Sequence, residues 1–214
     1  MKKFCLFILL MLSMTASAEI KTDSFKISPI DDIVFARMKG KSYPKNCKIN
    51  RKDLCYVEVY HYDYRGKEHK GEIVCNKRIA KDLVEIFREL HANKYPIEKM
   101  TLIDNYDAVD EASMQDNNTS SFCYRTVAGR KTLSKHARGL AIDINPFYNP
   151  CVTKKKDGTV TIQPSNASLY TDRTKQYPYK IEKGDLCYNL FKKHGFSWGG
   201  DWRGGTKDYQ HFEK

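Results

Sequence analysis

Beyond residue 18, the sequence lacks any apolar run long enough to cross a membrane. It also lacks a Cys-x-x-Cys pair, which argues against a zinc site built from thiolates. No motif typical of RNA- or DNA-binding domains is present, although positive charge is in excess. These absences disfavour a membrane-spanning protein, a zinc-ribbon protein and a nucleic-acid-binding protein.

The first residues have the three parts of a secretory signal peptide. Lys2 and Lys3 precede an apolar run at 4–12, and Ala-Ser-Ala at 16–18 offers a small-x-small cleavage site. We expect residues 1–18 to be removed on export to the periplasm, the cell wall or the medium. No cysteine follows the expected cut directly, so no stable membrane anchor is expected.

The remaining composition suits one globular domain with a basic surface. The chain has 214 residues, of which 41% are hydrophobic and 29% are charged. Loss of the signal peptide lowers the formal charge from +11 to +9. A basic exported protein is attracted to polyanions, which a bacterial wall supplies. Nucleic acid is the competing partner, but the lysines are scattered, so we expect no nucleic-acid binding.

Six cysteines follow the expected cleavage site: Cys47, Cys55, Cys75, Cys123, Cys151 and Cys187. An even number in an exported chain suggests disulfides, although six cysteines allow fifteen connectivities. The alternative for some of them is a free, buried thiol.

An alternating pattern predicts a β-hairpin near the N-terminus. Residues 55–64 alternate between apolar and polar, a turn follows, and residues 69–75 return. His61 and His69 lie on these strands. We interpret both as ordinary strand residues rather than metal ligands.

The rest of the chain alternates between helices, strands and loops. Apolar residues at helical spacing predict a helix over 76–92, capped by Asn76. A loop as long as the polar stretch 104–121 is often functional, although the spacing of a calcium-binding EF-hand is absent. Further expectations are strands at 97–103, 121–127 and 140–144, a hairpin at 152–162 and a helix at 185–194.

The stretch 134–146 is the first candidate site. It places His136 seven residues before Asp143, with Gly139 and an apolar run between them. We predict a loop carrying His136 and then a strand, in which Asp143 points away from its isoleucine neighbours. A carboxylate in so apolar a strand needs a partner. It caps a turn, pairs with Arg138 or Arg125, or binds a metal ion.

The stretch 198–213 is the second candidate site. It is rich in glycine and tryptophan and contains Asp208-x-x-His211. Two histidines and one carboxylate are a common ligand set for catalytic zinc. His136, Asp143 and His211 supply that set and leave Asp208 as a nearby base. On an ideal strand, Asp208 and His211 would face opposite ways, so a bulge or a turn is needed to bring both to one site.

The two stretches together resemble a known family. Ser-x-His-x-x-Gly-x-Ala-x-Asp-Ile at 134–144, followed by Trp-Gly-Gly-Asp-Trp at 198–202 and Asp-x-x-His at 208–211, is similar to the M15 zinc peptidases of peptidoglycan. That family includes D-alanyl-D-alanine carboxypeptidases and dipeptidases, and L-alanyl-D-glutamate endopeptidases. The similarity extends from about Ile73 to the last residue.

The resemblance implies a fold and a domain organisation. The fold is α+β: a single domain with a central antiparallel sheet flanked by helices, of the M15 or hedgehog type. An N-terminal extension with the β-hairpin would occupy residues 19–72, and the peptidase domain would occupy residues 73–214.

The resemblance also implies roles for individual residues. His136, Asp143 and His211 would hold one zinc ion per chain, and Asp208 would be the general base that accepts a proton from the attacking water. Arg125 would contact the substrate and the developing oxyanion, because a guanidinium offers a fork of donors. The alternative for Arg125 is a plain surface arginine.

Three further residues of the expected cleft follow from the same resemblance: Ser134 as a substrate or supporting contact, and Trp202 and Trp198 as a wall. The D-alanyl-D-alanine branch commonly has glutamate where this chain has Asp208. The endopeptidases commonly have aspartate, so the chain leans towards them.

The expected function is hydrolysis of peptidoglycan stem peptides by an exported, monomeric zinc peptidase. A catalytically silent wall-binding module of the same fold is the first alternative, disfavoured because three ligands and a base are present. A basic nuclease is the second alternative.

Overall fold

The N-terminal part of the structure is a three-stranded antiparallel sheet. The computed structural model describes residues 25–127 and 131–214, so the expected signal peptide lies outside the described residues. The described part of the chain begins with β1 (Lys26–Pro29) and α1 (Asp32–Met38), and continues into β2 (Leu54–Tyr62) and β3 (Glu68–Asn76). The strand order is β1-β2-β3. The predicted hairpin is therefore confirmed.

The long helix α2 (Lys77–Ala92) follows β3 directly. Asn76 is its N-cap, and its side-chain oxygen accepts a hydrogen bond from the backbone N–H of Arg78 at 3.0 Å. Apolar residues three and four apart form one buried face, which packs on β2. The predicted helix and its cap are confirmed.

The middle of the chain differs from the predictions. The strand expected at 97–103 is reduced to β4 (Lys99–Met100), which pairs in parallel with β5 (Asn118–Thr119). The loop expected at 104–121 contains β5 and the helix α3 (Asp110–Gln115). Two acidic residues in the first turn of α3 favour the N-terminus of a helix. The number of polar residues in the segment does not reveal this signal.

The strand expected at 121–127 is not formed. Its backbone N–H groups donate to three separate segments: Phe122 to Val74, Cys123 to His136 and Tyr124 to Ser42. Because these acceptors lie in different parts of the chain, the segment has no ladder with one partner strand.

Small elements make up the C-terminal part: β6 (Ala141–Asp143), β7 (Cys151–Lys154), β8 (Val160–Gln163), α4 (Leu186–Lys193), β9 (Ser197–Trp198), β10 (Thr206–Asp208) and β11 (His211–Glu213). They form two antiparallel sheets, in the orders β6-β11-β9 and β10-β7-β8. The predicted strand at 140–144, the hairpin at 152–162 and the helix at 185–194 correspond to β6, to β7 with β8, and to α4.

The mixed α and β content is compatible with the predicted α+β class, but the strands are divided among several sheets instead of one central sheet. The described residues form three three-stranded antiparallel sheets and one two-stranded parallel pair. The C-terminal strands have two to four residues each, too short to span one broad sheet.

One hydrophobic core connects the hairpin with the C-terminal strands. It contains Val57 and Ile73 of the hairpin, Leu83 of α2, Ile142 of β6 and Phe212 of β11, all almost fully buried. The expected boundary between residues 72 and 73 lies inside β3. The hairpin thus contributes to the same core as the candidate site. No helix in the described ranges is long and apolar enough to cross a membrane.

All six cysteines after the expected cleavage site are free thiols in the structure. Cys55 and Cys75 face each other across β2 and β3, with their sulfur atoms 3.9 Å apart. The disulfides suggested by the even count are not formed.

Candidate metal centre

Two strands and one turn bring His136, Asp143 and His211 together. Asp143 ends β6 and His211 begins β11, and the antiparallel register places the two residues directly opposite each other. His136 begins a short 3-10 turn, His136–Arg138, just before β6. His136 and His211 are 75 positions apart in the sequence, and they meet because β11 pairs with β6.

The three side chains form a tight and buried cluster. His211 Nδ1 lies 3.0 Å from Asp143 Oδ1 and 3.1 Å from His136 Nε2, and His136 Nε2 lies 3.2 Å from Asp143 Oδ2. One ligand atom from each residue lies within 4.8 Å of the others. All three residues are at most 6% exposed. Of the alternatives open for Asp143, the structure shows pairing with two imidazoles rather than with Arg125 or Arg138.

The outer ring nitrogens of both histidines have acceptors of their own. His136 Nδ1 lies 2.7 Å from the carbonyl oxygen of Ser121, and His211 Nε2 lies 3.1 Å from Oε2 of Glu213. A carbonyl and a carboxylate accept hydrogen bonds, so each outer nitrogen carries a proton. In neutral rings the lone pairs then belong to His136 Nε2 and His211 Nδ1, which both face Asp143. This donor set fits a metal ion.

The electrostatics of the cluster favour a positive charge at its centre. Burial raises the pKa of Asp143, but the two imidazoles outweigh burial and lower that pKa strongly. Burial lowers the pKa of His211, but hydrogen bonds to Asp143 and Glu213 raise it to about 10. These shifts favour positive charge between the three side chains, which a bound cation would supply.

The turn that carries His136 is fixed to the start of α2. The backbone N–H of Asn76 donates to the carbonyl of Gly139 at 2.8 Å, and its side-chain amide donates to the carbonyl of Arg138 at 3.1 Å. Gly139 has a φ of +65°, and a Cβ there would lie 2.6 Å from the Asn76 nitrogen. Glycine is therefore required for both the conformation and the close approach.

Ser134 supports the same turn from within the protein. It is 5% exposed, and its Oγ accepts a hydrogen bond from the backbone N–H of His136 at 3.0 Å. Its own N–H donates to the carbonyl of Arg125 at 3.1 Å. Ser134 thus orients the turn; its expected contact with substrate stays a prediction.

Asp208 reaches the cluster by a change of sheet rather than by a bulge. It ends β10, opposite Cys151 of β7, whereas His211 begins β11 in the neighbouring sheet. The connection through residues 209 and 210 turns the chain between the two sheets. A Cβ on Gly199 would lie 2.7 Å from the Asp208 Cβ, so this glycine permits the close packing.

The carboxyl group of Asp208 lies in a buried environment that raises its pKa. Its Oδ1 is buried and has no hydrogen-bond partner in residues 25–127 and 131–214. Burial and the charge of Asp143 raise its pKa to about 6, although His211 and His136 act in the opposite direction. A general base with a pKa near the working pH is effective.

Arg125 lies beside the cluster, paired with a carboxylate of α3. Its Nη2 is 2.8 Å from Oδ2 of Asp110, and both side chains are about two-thirds buried. Its buried Nε has no hydrogen-bond partner within the described parts of the chain. Burial lowers the pKa of Arg125, but the nearby charges of Asp110, Asp143 and Asp208 raise it overall. The expected contact of Arg125 with substrate stays a prediction.

The two tryptophans of the second motif have different environments. The Trp202 ring is half-buried and lies 5.4 Å from the ring of His211, so it borders the cluster. Trp198 is 5% exposed, packs against Tyr188 and Phe212, and donates to the Tyr209 carbonyl at 2.9 Å. The expected role of Trp198 in a cleft wall is therefore wrong, because its ring belongs to the core.

Four contributors to the site were not identified from the sequence: Asp110, the Ser121 carbonyl, Cys151 and Glu213. A backbone carbonyl has no residue-type signal. Glu213, however, lies two residues after His211 on a strand, and period-two alternation places both side chains on one face. That spacing could have identified it.

Comparison with known proteins gives one match. Residues 128–214 match the M15 peptidase family model described as D-alanyl-D-alanine carboxypeptidase. The match begins later than Ile73, where the resemblance was expected to start. No curated protein and no solved structure matches the chain. The matched region contains His136, Asp143, Asp208 and His211, and the match supports an M15 family peptidase.

Proposed function

We propose that the protein is an exported zinc-dependent peptidase that hydrolyses peptidoglycan stem peptides. The observation that carries the proposal is the buried His136–Asp143–His211 cluster, with one ligand atom from each residue inside a 4.8 Å group. The family match over residues 128–214 supports peptidase activity.

The cluster has the chemistry that zinc requires. Two imidazole nitrogens and one carboxylate are a frequent set of three protein ligands, and they leave a fourth position open. The outer nitrogens of both histidines are already hydrogen-bonded, which orients the rings for binding. When bound, zinc would act as a Lewis acid that polarises the scissile carbonyl and activates water.

The chain's own groups would perform the proton transfers and the binding of substrate. Asp208 would accept the proton of the attacking water on its carboxylate and later donate it to the leaving amine. Arg125 would place its guanidinium against a substrate carboxylate or the developing oxyanion. Trp202 would cover one side of the site and limit access of bulk water.

The bond that is cleaved is either D-Ala-D-Ala, in a carboxypeptidase, or L-Ala-D-Glu, in an endopeptidase. Asp208 in place of glutamate favours the second. We also propose that the protein loses residues 1–18 and is located in the periplasm, the wall or the medium. It would be a monomer with no stable membrane anchor, and it would not bind nucleic acid.

Metal analysis combined with digestion tests the proposal. The mature chain, the variant H136A and the control H69A would be assayed for zinc and incubated with purified muropeptides. His69 pairs with Asp63 in the hairpin and lies outside the cluster, so H69A should behave as wild type. We expect about one zinc per chain in wild type and none in H136A, with products cut by the wild-type protein only.

Mass spectrometry of the products distinguishes the outcomes. Loss of one alanine identifies a carboxypeptidase, and cleavage before D-glutamate identifies an endopeptidase. A wild-type protein that binds muropeptides without zinc or cleavage would overturn the proposal in favour of the wall-binding module. A nuclease assay in magnesium, with and without a chelator, tests the remaining alternative.

A further inference from the structure

The outer nitrogen of His211 is held by a carboxylate from its own strand. Glu213 Oε2 lies 3.1 Å from His211 Nε2, and the two residues share one face of β11. The Glu213 side chain is about one-quarter exposed, whereas that of His211 is 8% exposed. The carboxylate therefore stands between the buried ring and the solvent.

The two histidines present different nitrogens to the centre. His136 turns Nε2 inwards and secures its Nδ1 with the Ser121 carbonyl, which no side-chain substitution removes. His211 turns Nδ1 inwards, and its Nε2 depends on a side chain. The His136 ring is thus oriented by a backbone group, whereas the His211 ring is oriented by a side chain that a substitution can remove.

From this geometry we propose that Glu213 is a positioning residue for the metal centre: it accepts the Nε2–H of His211 and so keeps the Nδ1 lone pair directed at the metal. The inference rests on the proposed zinc function. Without the acceptor, the neutral ring can carry its proton on Nδ1 instead, where it would block ligation. The negative charge of Glu213 also makes the His211 imidazole a stronger ligand for the metal.

The surroundings of Glu213 provide little that could replace it. Across β6 its partner in register is Ala141, which has no polar side-chain atom. The Ser197 hydroxyl donates to the backbone carbonyl of Glu213 at 3.1 Å and leaves the carboxylate to His211. Lys135 also acts electrostatically on Glu213, but its ammonium group cannot accept a hydrogen bond from Nε2.

The test measures zinc affinity, by competition with a chromophoric chelator, for wild type, E213A, E213Q and the control E182A. Glu182 has a half-exposed side chain, pairs with Lys180 and lies outside the cluster. We expect the zinc dissociation constant to rise about 10–100-fold in E213A. E213Q keeps an acceptor without the charge and should show a smaller rise, and E182A should show none.

Two further measurements separate positioning from general stability. The melting temperature of each zinc-free variant shows whether it is folded, and E213Q keeps the test informative if E213A is not. In the zinc-loaded protein, ¹⁵N-edited NMR should show the His211 proton on Nε2, exchanging faster with solvent in E213A.

The possible results are distinct. If E213A binds zinc as tightly as wild type, the positioning role is wrong while the proposed function stands. If wild type itself binds no zinc, the proposed function fails and this inference fails with it.

Discussion

His211 Nδ1 lies 3.0 Å from Asp143 Oδ1 because these two residues are register partners on β11 and β6. The neighbouring partners are Phe212 and Ile142, whose side chains point into the core on the other face. A slip of one residue would exchange the two faces of the strand. Burial of Phe212 therefore fixes the register that creates the candidate site.

Replacing Asp208 should separate catalysis from metal binding. In D208N the shape is kept but the proton acceptor is lost, so we expect kcat to fall about 10²–10⁴-fold. Zinc content should stay at the wild-type level, because the cluster of three ligands is intact. Muropeptide hydrolysis and elemental analysis on the same preparation check both statements, and a loss of zinc in D208N would contradict them.

The pH dependence of kcat/KM should show an acid limb from Asp208. Its pKa in the metal-free protein is raised to about 6, mainly by burial. The base works as a carboxylate, so activity should fall as the pH drops through that pKa. A bound dication stabilises the carboxylate and moves the limb below pH 6. The pH profile of the residual activity of D208N should lack this acid limb.

Asp110 should influence substrate binding through Arg125. Its Oδ2 lies 2.8 Å from Arg125 Nη2, so the carboxylate fixes the direction of the guanidinium. In D110N a charge-assisted contact is weakened, and we expect kcat/KM to fall about tenfold or more, from a loss of about 1.5–3 kcal/mol. Zinc affinity should be unchanged. The neighbouring substitution E111Q is the matched control, because Glu111 bonds to Gln115 and Ser165 instead.

Glu72 should contribute to stability at neutral pH. It accepts hydrogen bonds from Arg37, Tyr56 and Thr101. Burial raises its pKa, but these partners lower it overall to about 2, so the folded state favours the carboxylate. We expect E72Q to lower the free energy of unfolding at pH 7 by on the order of 2 kcal/mol.

This stabilisation should have a defined pH window. A depressed pKa gives stability that is present above the ordinary value of 4.5 and lost as the pH falls towards 2. Denaturant unfolding of wild type and E72Q across that range should therefore show curves that converge in acid. The exposed Glu89 on α2 provides the control E89Q, which should follow wild type at every pH.

Local patterns in the sequence predicted the elements whose signal is periodic. The hairpin of β2 and β3 and the helix α2 follow from alternation and from helical spacing, and Asn76 is a cap recognisable by residue type. The candidate metal-binding cluster could be predicted because His136, Asp143 and His211 lie in motifs with specific residue types.

Tertiary pairing determined what the sequence patterns could not. The division of Asp208 and His211 between two sheets depends on β10 pairing with β7 while β11 pairs with β6. Strands of three residues carry too little periodicity to reveal such a switch. The partnership of Asp110 with Arg125 likewise depends on where α3 packs, which the acidic composition of its segment does not specify.

Asn76 ends β3, caps α2 and bonds the Gly139 carbonyl of the His136 turn. If the cluster binds a metal ion, we expect metal binding and the stability of the hairpin to be linked through this residue. Metal binding should slow amide hydrogen exchange in β3 and at the start of α2, remote from the ligands in sequence. Linkage is reciprocal, so substitutions that destabilise the hairpin should weaken metal binding. The stability of the hairpin would then influence how long the metal ion stays bound.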